Sequence, residues 1–192
     1  MPFVQPPLNV LDPVQLSAIN LPISDNQALI ITGCPGSGKT TVANYRVKNC
    51  VGKYNFQYLM WTKLLKHYVK GVMKRYKVKD TDIETIEKWY YHMYSNKKQN
   101  YKAFLHDWGT GVFYEKEMIR NFQNTAKFDQ IIIDEAQDLW PELIRNLNII
   151  SKQVVICCDN AQNVFNRFSQ DSNHNSESNF NVEFIEHKVK RK

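Results

Sequence analysis

An α/β fold with a parallel, doubly wound sheet is predicted by three features of the sequence. Four short apolar runs rich in branched residues punctuate the chain: Ala28–Thr32, Tyr58–Trp61, Ile131–Ile133 and Val154–Cys157. Continuous runs of that kind are how strands read when a sheet is buried on both faces. Helical patterns follow three of them, over Thr40 to about Val51, Leu64 to about Tyr76 and Pro141 to about Ile150. Strands alternating with helices imply right-handed crossovers. Finally, a glycine-rich turn joins the first run to its helix.

Composition narrows the class further. At 192 residues, 43% hydrophobic and 23% charged, the chain suits a single globular domain rather than a disordered or fibrous one. No apolar run approaches the ~18 residues that span a bilayer, so no membrane role is expected. The opening MPFVQPPLNVLDP has neither a basic region nor an apolar core, so a cytoplasmic protein is expected. Cys34, Cys50, Cys157 and Cys158 form no C-x-x-C pair, and the adjacent Cys157 and Cys158 should face opposite sides of a strand. Free thiols in a reducing compartment are expected.

The remaining segments are less regular. Residues 80–127, with Trp89, Tyr90, Tyr91, Tyr94, Tyr101, Phe104 and Trp108, read as a mostly helical insertion between sheet strands. Ser169–Asn181 carries four Ser and four Asn in thirteen residues and reads as a mobile loop. Val182–Ile185 reads as a last short strand. One domain over 1–192 is expected.

Gly33–Thr40 reads GCPGSGKT, which is G-x-x-x-x-G-K-T after a strand and before a helix. Glycines let backbone N–H groups curl around phosphates, and the helix N-terminus adds its dipole. The loop (Gly33, Cys34, Pro35, Gly36, Ser37, Gly38, Lys39, Thr40, with Thr41 next) is expected to bind ATP. Lys39 would reach the β- and γ-phosphates, and Thr40 would ligate Mg²⁺. Further on, the run Ile131–Ile133 ends in Asp134 and Glu135. Such a pair suits Asp134 holding Mg²⁺ through bound water and Glu135 deprotonating an attacking water.

With these pieces in place, the sequence resembles the first RecA-like, ATP-binding domain of UvrD/Rep-like superfamily 1A helicases. Six segments carry the resemblance over about residues 8–168. Leu11–Ala18 resembles the Q motif, which implies that Gln15 reads the adenine edge. The phosphate loop is the second segment. Tyr58–Leu65 resembles motif Ia, which implies that Thr62 and Lys63 touch a nucleic-acid backbone. Ile83–Trp89 resembles motif Ib, with Thr85 as a second backbone contact. Asp134–Leu139, DEAQDL, resembles motif II. Cys158–Phe165 resembles motif III, which implies that Gln162 senses the γ-phosphate and Phe165 stacks on a base. The sequence departs from the pattern at Cys158, where Gly is usual, and at Thr41, where Arg is common. The Trp expected after Phe165 is absent, with Arg167 and Phe168 nearby. Motifs IV to VI are absent too, so a second RecA-like domain or partner subunit is expected to supply arginine fingers.

Charge agrees with a nucleic-acid partner. Lys48–Lys102 holds 13 basic and 4 acidic residues, whereas the rest of the chain is net acidic. Cations interleaved with Tyr and Trp suit a single-stranded track, DNA first and RNA as the alternative. Two functions compete. One is the ATP-binding half of a helicase or translocase. The other is a stand-alone ATP-binding module that switches a partner without translocation. A nucleotide kinase fits neither DEAQD nor the Asp159–Gln162 element.

Overall fold

The computed structural model describes residues 4–94, 115–124, 127–139, 141–159 and 183–188. Six parallel strands form one sheet: β1 (Gln27–Thr32), β2 (Phe56–Met60), β3 (Ile83–Thr85), β4 (Phe128–Asp134), β5 (Ser151–Cys158) and β6 (Glu183–Lys188). Their order is β3-β2-β4-β5-β1-β6. The fold is therefore the α/β, doubly wound, RecA-like type. β1 and β4 are separated by one strand, β5, so their ends lie about 10 Å apart at ordinary strand spacing.

Alternation along each strand supplies two cores. Ile30, Leu59, Ile131, Ile133 and Ile156 point to one face. Leu29, Ile31, Tyr58, Met60, Ile132 and Val155 point to the other. Cys157 and Cys158 divide between the two faces as expected, and all four cysteines are free.

Helices α1 (Pro13–Asn20), α2 (Lys39–Cys50) and α3 (Lys63–Met73) cover the second face through Ala18, Val42, Val47, Val69 and Val72. Asp12 caps α1 in a reciprocal box with Gln15, and Pro13 occupies the first turn, where its missing N–H costs nothing. Thr62 caps α3 by accepting from the Leu65 amide at 3.1 Å.

The first face is covered by α4 (Ile86–Tyr94), α5 (Glu115–Gln123) and α6 (Pro141–Asn146). Residues 80–127 therefore differ in part from the expected helical insertion. Ile83–Thr85 pairs with β2 as an edge strand, and Trp89, Tyr90, Met118 and Phe122 build the core beneath the sheet. The strand escapes the sequence pattern because Ile-Glu-Thr is too short to show alternation. Tyr101, Phe104 and Trp108 lie outside the described residues, as does the 169–181 segment. β6 begins at Glu183, close to the expected Val182. No helix among the described residues is long and apolar enough to cross a membrane.

Candidate nucleotide site

All six strands run the same way, so the loops leaving β1, β2, β4 and β5 share one edge of the sheet. Open α/β sheets bind ligands at this edge. The phosphate loop starts there, with the Gly33 amide donating to the Cys158 carbonyl at 3.3 Å. It turns through left-handed backbone at Gly36 (φ 77°) and Gly38 (φ 92°). A side chain at Gly38 would be strained, and its Cβ would meet Gln15 Nε2 at 2.5 Å. Gly38 caps α2 with no side-chain bond, so the first-turn amides stay available to an anion.

Lys39 is buried, and its Nζ donates to the carbonyls of Gly33 at 2.7 Å and Cys34 at 3.2 Å. The ammonium thus sits against the inner wall of the loop. Ser37 Oγ is buried with no hydrogen-bond partner among the described residues. A polyphosphate fits this set of donors. Cys34, Pro35 and Gly36 form the exposed tip, and Thr41 lies in the first turn of α2.

Asp134 closes the other side. It is fully buried at the end of β4 and accepts from the Glu135 amide at 3.1 Å. The Tyr58 hydroxyl donates to its Oδ2 at 3.5 Å, and the Thr40 hydroxyl lies near enough to favour its ionised form. Burial lifts the Asp134 carboxyl to about 6, against the pull of the Thr40 hydroxyl. A buried carboxylate beside one hydroxyl fits Mg²⁺, which prefers one or two protein ligands together with phosphate oxygens and water. No cluster of three or more His, Cys, Asp or Glu side chains suited to a metal occurs among the described residues.

Glu135 follows in left-handed backbone (φ 58°, ψ 46°), a conformation uncommon for a side-chain-bearing residue and enriched at functional sites. Gln137 Nε2 donates to its carboxylate, and Gln137 Oε1 accepts from the Asp159 amide at 3.2 Å. Gln15, expected to read adenine, is engaged elsewhere. Its Oε1 accepts from the Asp12 amide at 3.1 Å, and its Nε2 donates to the Ser37 carbonyl at 2.9 Å.

The expected nucleic-acid residues divide. Thr62 and Lys63 are exposed just beyond β2, although the Thr62 hydroxyl is already spent on capping α3. Thr85 is fully buried at the end of β3, so its side chain presents nothing to a strand in this arrangement. Gln162 and Phe165 lie outside the described residues. Trp89 and Tyr90 are core residues, which removes them as stacking platforms.

Part of the basic excess is internally neutralised. Lys66 and Lys88 lie 2.5 and 3.3 Å from Glu84, and Lys70 lies 3.9 Å from Asp80. Burial would raise the Glu84 carboxyl, but hydrogen bonds from Lys66, the Thr85 amide and Lys88 hold it below its ordinary value. Lys63, Lys74, Arg75, Lys77 and Lys79 remain exposed.

Sequence reasoning assigned no role to Tyr58 or Gln137. A strand tyrosine gives no hint of a distant carboxylate partner. Gln137 did carry a signal, since it stands inside DEAQD two residues beyond Glu135.

The loop, the acidic strand end and the sheet order define a P-loop NTPase domain. Residues 15–166 match the family described as AAA domain, and the chain belongs to that family. No curated protein matches the sequence. Similar solved structures include a DNA replication initiation factor, at 14% identity and TM-score 0.41, covering 91% of this chain and 43% of that one. Another is the flagellar accessory protein FlaH from Methanocaldococcus jannaschii, at 15% and 0.40, covering 77% and 67%. A third is a Pif1 helicase from work on DNA unwinding at forked duplexes, at 15% and 0.44, covering 93% and 44%. The chain spans less than half the length of the first and third.

Proposed function

We propose that the chain is the ATP-binding domain of a superfamily 1 helicase or translocase of the UvrD/Rep-like group. It would couple Mg-ATP hydrolysis to binding of single-stranded DNA, with RNA as the alternative. The observation that supports this most is the fully buried Asp134 carboxylate at the end of β4, one strand away from the phosphate loop on the same edge of the sheet. In this reading the loop amides and Lys39 bind the phosphates, and Thr40 and Asp134 hold Mg²⁺. Bound Mg²⁺ would neutralise charge on the phosphate oxygens. Glu135 orients and deprotonates the attacking water. Gln15 reaches adenine by exchanging one of its present hydrogen bonds, and Gln162 senses the γ-phosphate. Thr62, Lys63 and Phe165 meet the strand. A second RecA-like domain or partner subunit supplies arginines, which are worth roughly 10³–10⁵ in rate in related NTPases.

The test is single-turnover ATP hydrolysis by this chain, with and without a single-stranded oligonucleotide, beside Lys39→Ala and Glu135→Gln. Slow hydrolysis, raised by the oligonucleotide and lost in both variants, is expected. Nucleotide binding with no oligonucleotide response and no loss in Glu135→Gln would overturn the coupling and favour a stand-alone switch.

A further inference from the structure

Gln137 joins two chain segments that the sequence keeps apart. It sits in the short 3-10 turn Ala136–Asp138 after β4, flanked by the buried side chains of Ala136 and Leu139. Those anchors fix where the carboxamide starts. Its nitrogen faces the Glu135 carboxylate, which can only accept when ionised, and its oxygen faces the Asp159 amide, which can only donate. The chemistry of the partners therefore sets the orientation of the amide. Asp159 directly follows β5, and the neighbouring Cys158 carbonyl receives the Gly33 amide of the phosphate loop. A continuous path runs from the Glu135 carboxylate through Gln137 to β5 and on to the loop.

We infer that Gln137 is a positioning residue that fixes the Glu135 carboxylate to the end of β5, so that displacement of either moves the other. This rests on the proposed role of Glu135 as the base. It adds a route by which the end of β5 governs that base through Gln137. A side chain with one donor and one acceptor is required. Glutamate would keep the acceptor for Asp159 while placing a second carboxylate against Glu135, and leucine would lose both contacts.

Hydrogen exchange of the Asp159 amide, read by NMR on the full chain, tests the bridge beside single-turnover ATP hydrolysis. Gln137→Leu should speed exchange and slow hydrolysis, each by about tenfold for the loss of one hydrogen bond, with ATP affinity within about twofold. Gln137→Glu should keep exchange slow yet lose hydrolysis, a split that general loosening would not produce. Unchanged exchange in Gln137→Leu would overturn the bridge. Faster exchange with unchanged hydrolysis, in protein whose Glu135→Gln variant is inactive, would overturn the positioning role. If Glu135→Gln hydrolyses ATP as the native chain does, the base assignment and the positioning role that rests on it both fall, and exchange alone decides the bridge.

Discussion

Arg46 and Leu21 are joined by a forked contact: Nη1 and Nη2 of the guanidinium both donate to the Leu21 carbonyl at 3.1 Å. Nη1 also reaches the carbonyls of Ala18 at 2.6 Å and Ile19 at 3.3 Å. A buried arginine on α2 thus satisfies the orphan carbonyls at the end of α1. Burial pulls its pKa below the ordinary value, but the group stays charged at neutral pH.

Arg46→Ala leaves those carbonyls buried and unpaired. A loss of roughly 2–4 kcal/mol in stability is expected by urea denaturation. Arg46→Lys should recover only part, because one ammonium cannot reproduce the fork. A loss under about 0.5 kcal/mol in the alanine variant would mean that water replaces the guanidinium.

Gly38 carries two separable constraints, its left-handed backbone and its contact with Gln15. Gly38→Ala should destabilise the chain by roughly 1–3 kcal/mol and weaken ATP binding. Adding Gln15→Ala removes the clash but not the backbone strain, so the double variant should recover only part of the stability. Full recovery in thermal melts would show that the backbone is not strained.

Asp134 should make the metal-free protein more stable in mild acid. Its carboxyl is raised to about 6 by burial, so the folded chain binds a proton that the unfolded chain releases. Between about pH 6 and 4 the folded state therefore takes up the extra proton, and the contribution of this group to stability rises as pH falls. Above pH 6 the cost is fully present. Asp134→Asn should raise metal-free stability near pH 7.5 by roughly 1–3 kcal/mol while losing Mg²⁺-dependent nucleotide binding. An asparagine variant that is less stable at that pH would contradict this.

Thr62 separates a structural role from a binding one. Thr62→Asp keeps a good cap for α3 and places a negative charge where a phosphate is proposed to lie. Stability within about 0.5 kcal/mol of native, with oligonucleotide affinity reduced about tenfold or more, is expected from melts and fluorescence anisotropy. Unchanged affinity would move the strand away from this end of β2.

The sheet was readable because its four inner strands are continuous apolar runs, and Gly33–Thr40 because its chemistry needs a fixed spacing. Ile83–Thr85 was hidden by its length. Trp89 and Tyr90 look alike as stacking platforms or core, and only the packing of α4 on the sheet decides between them. Gln15 shows a subtler limit. A motif names the residue, but whether its carboxamide meets a base or the Ser37 carbonyl depends on how α1 is seated.

The sheet order has a consequence for how the chain folds. β1 is made early, yet its two neighbours, β5 and β6, are the latest strands among the described residues. Until residue 151 leaves the ribosome, the hydrophobic strand bearing the phosphate loop has open hydrogen-bonding edges on both sides. Closing it demands contacts between distant parts of the chain, which makes folding slow and leaves the nascent protein exposed to aggregation. Nucleotide binding then becomes a signature of synthesis carried through β5, and a chain cut before β5 should depend on chaperones to stay soluble.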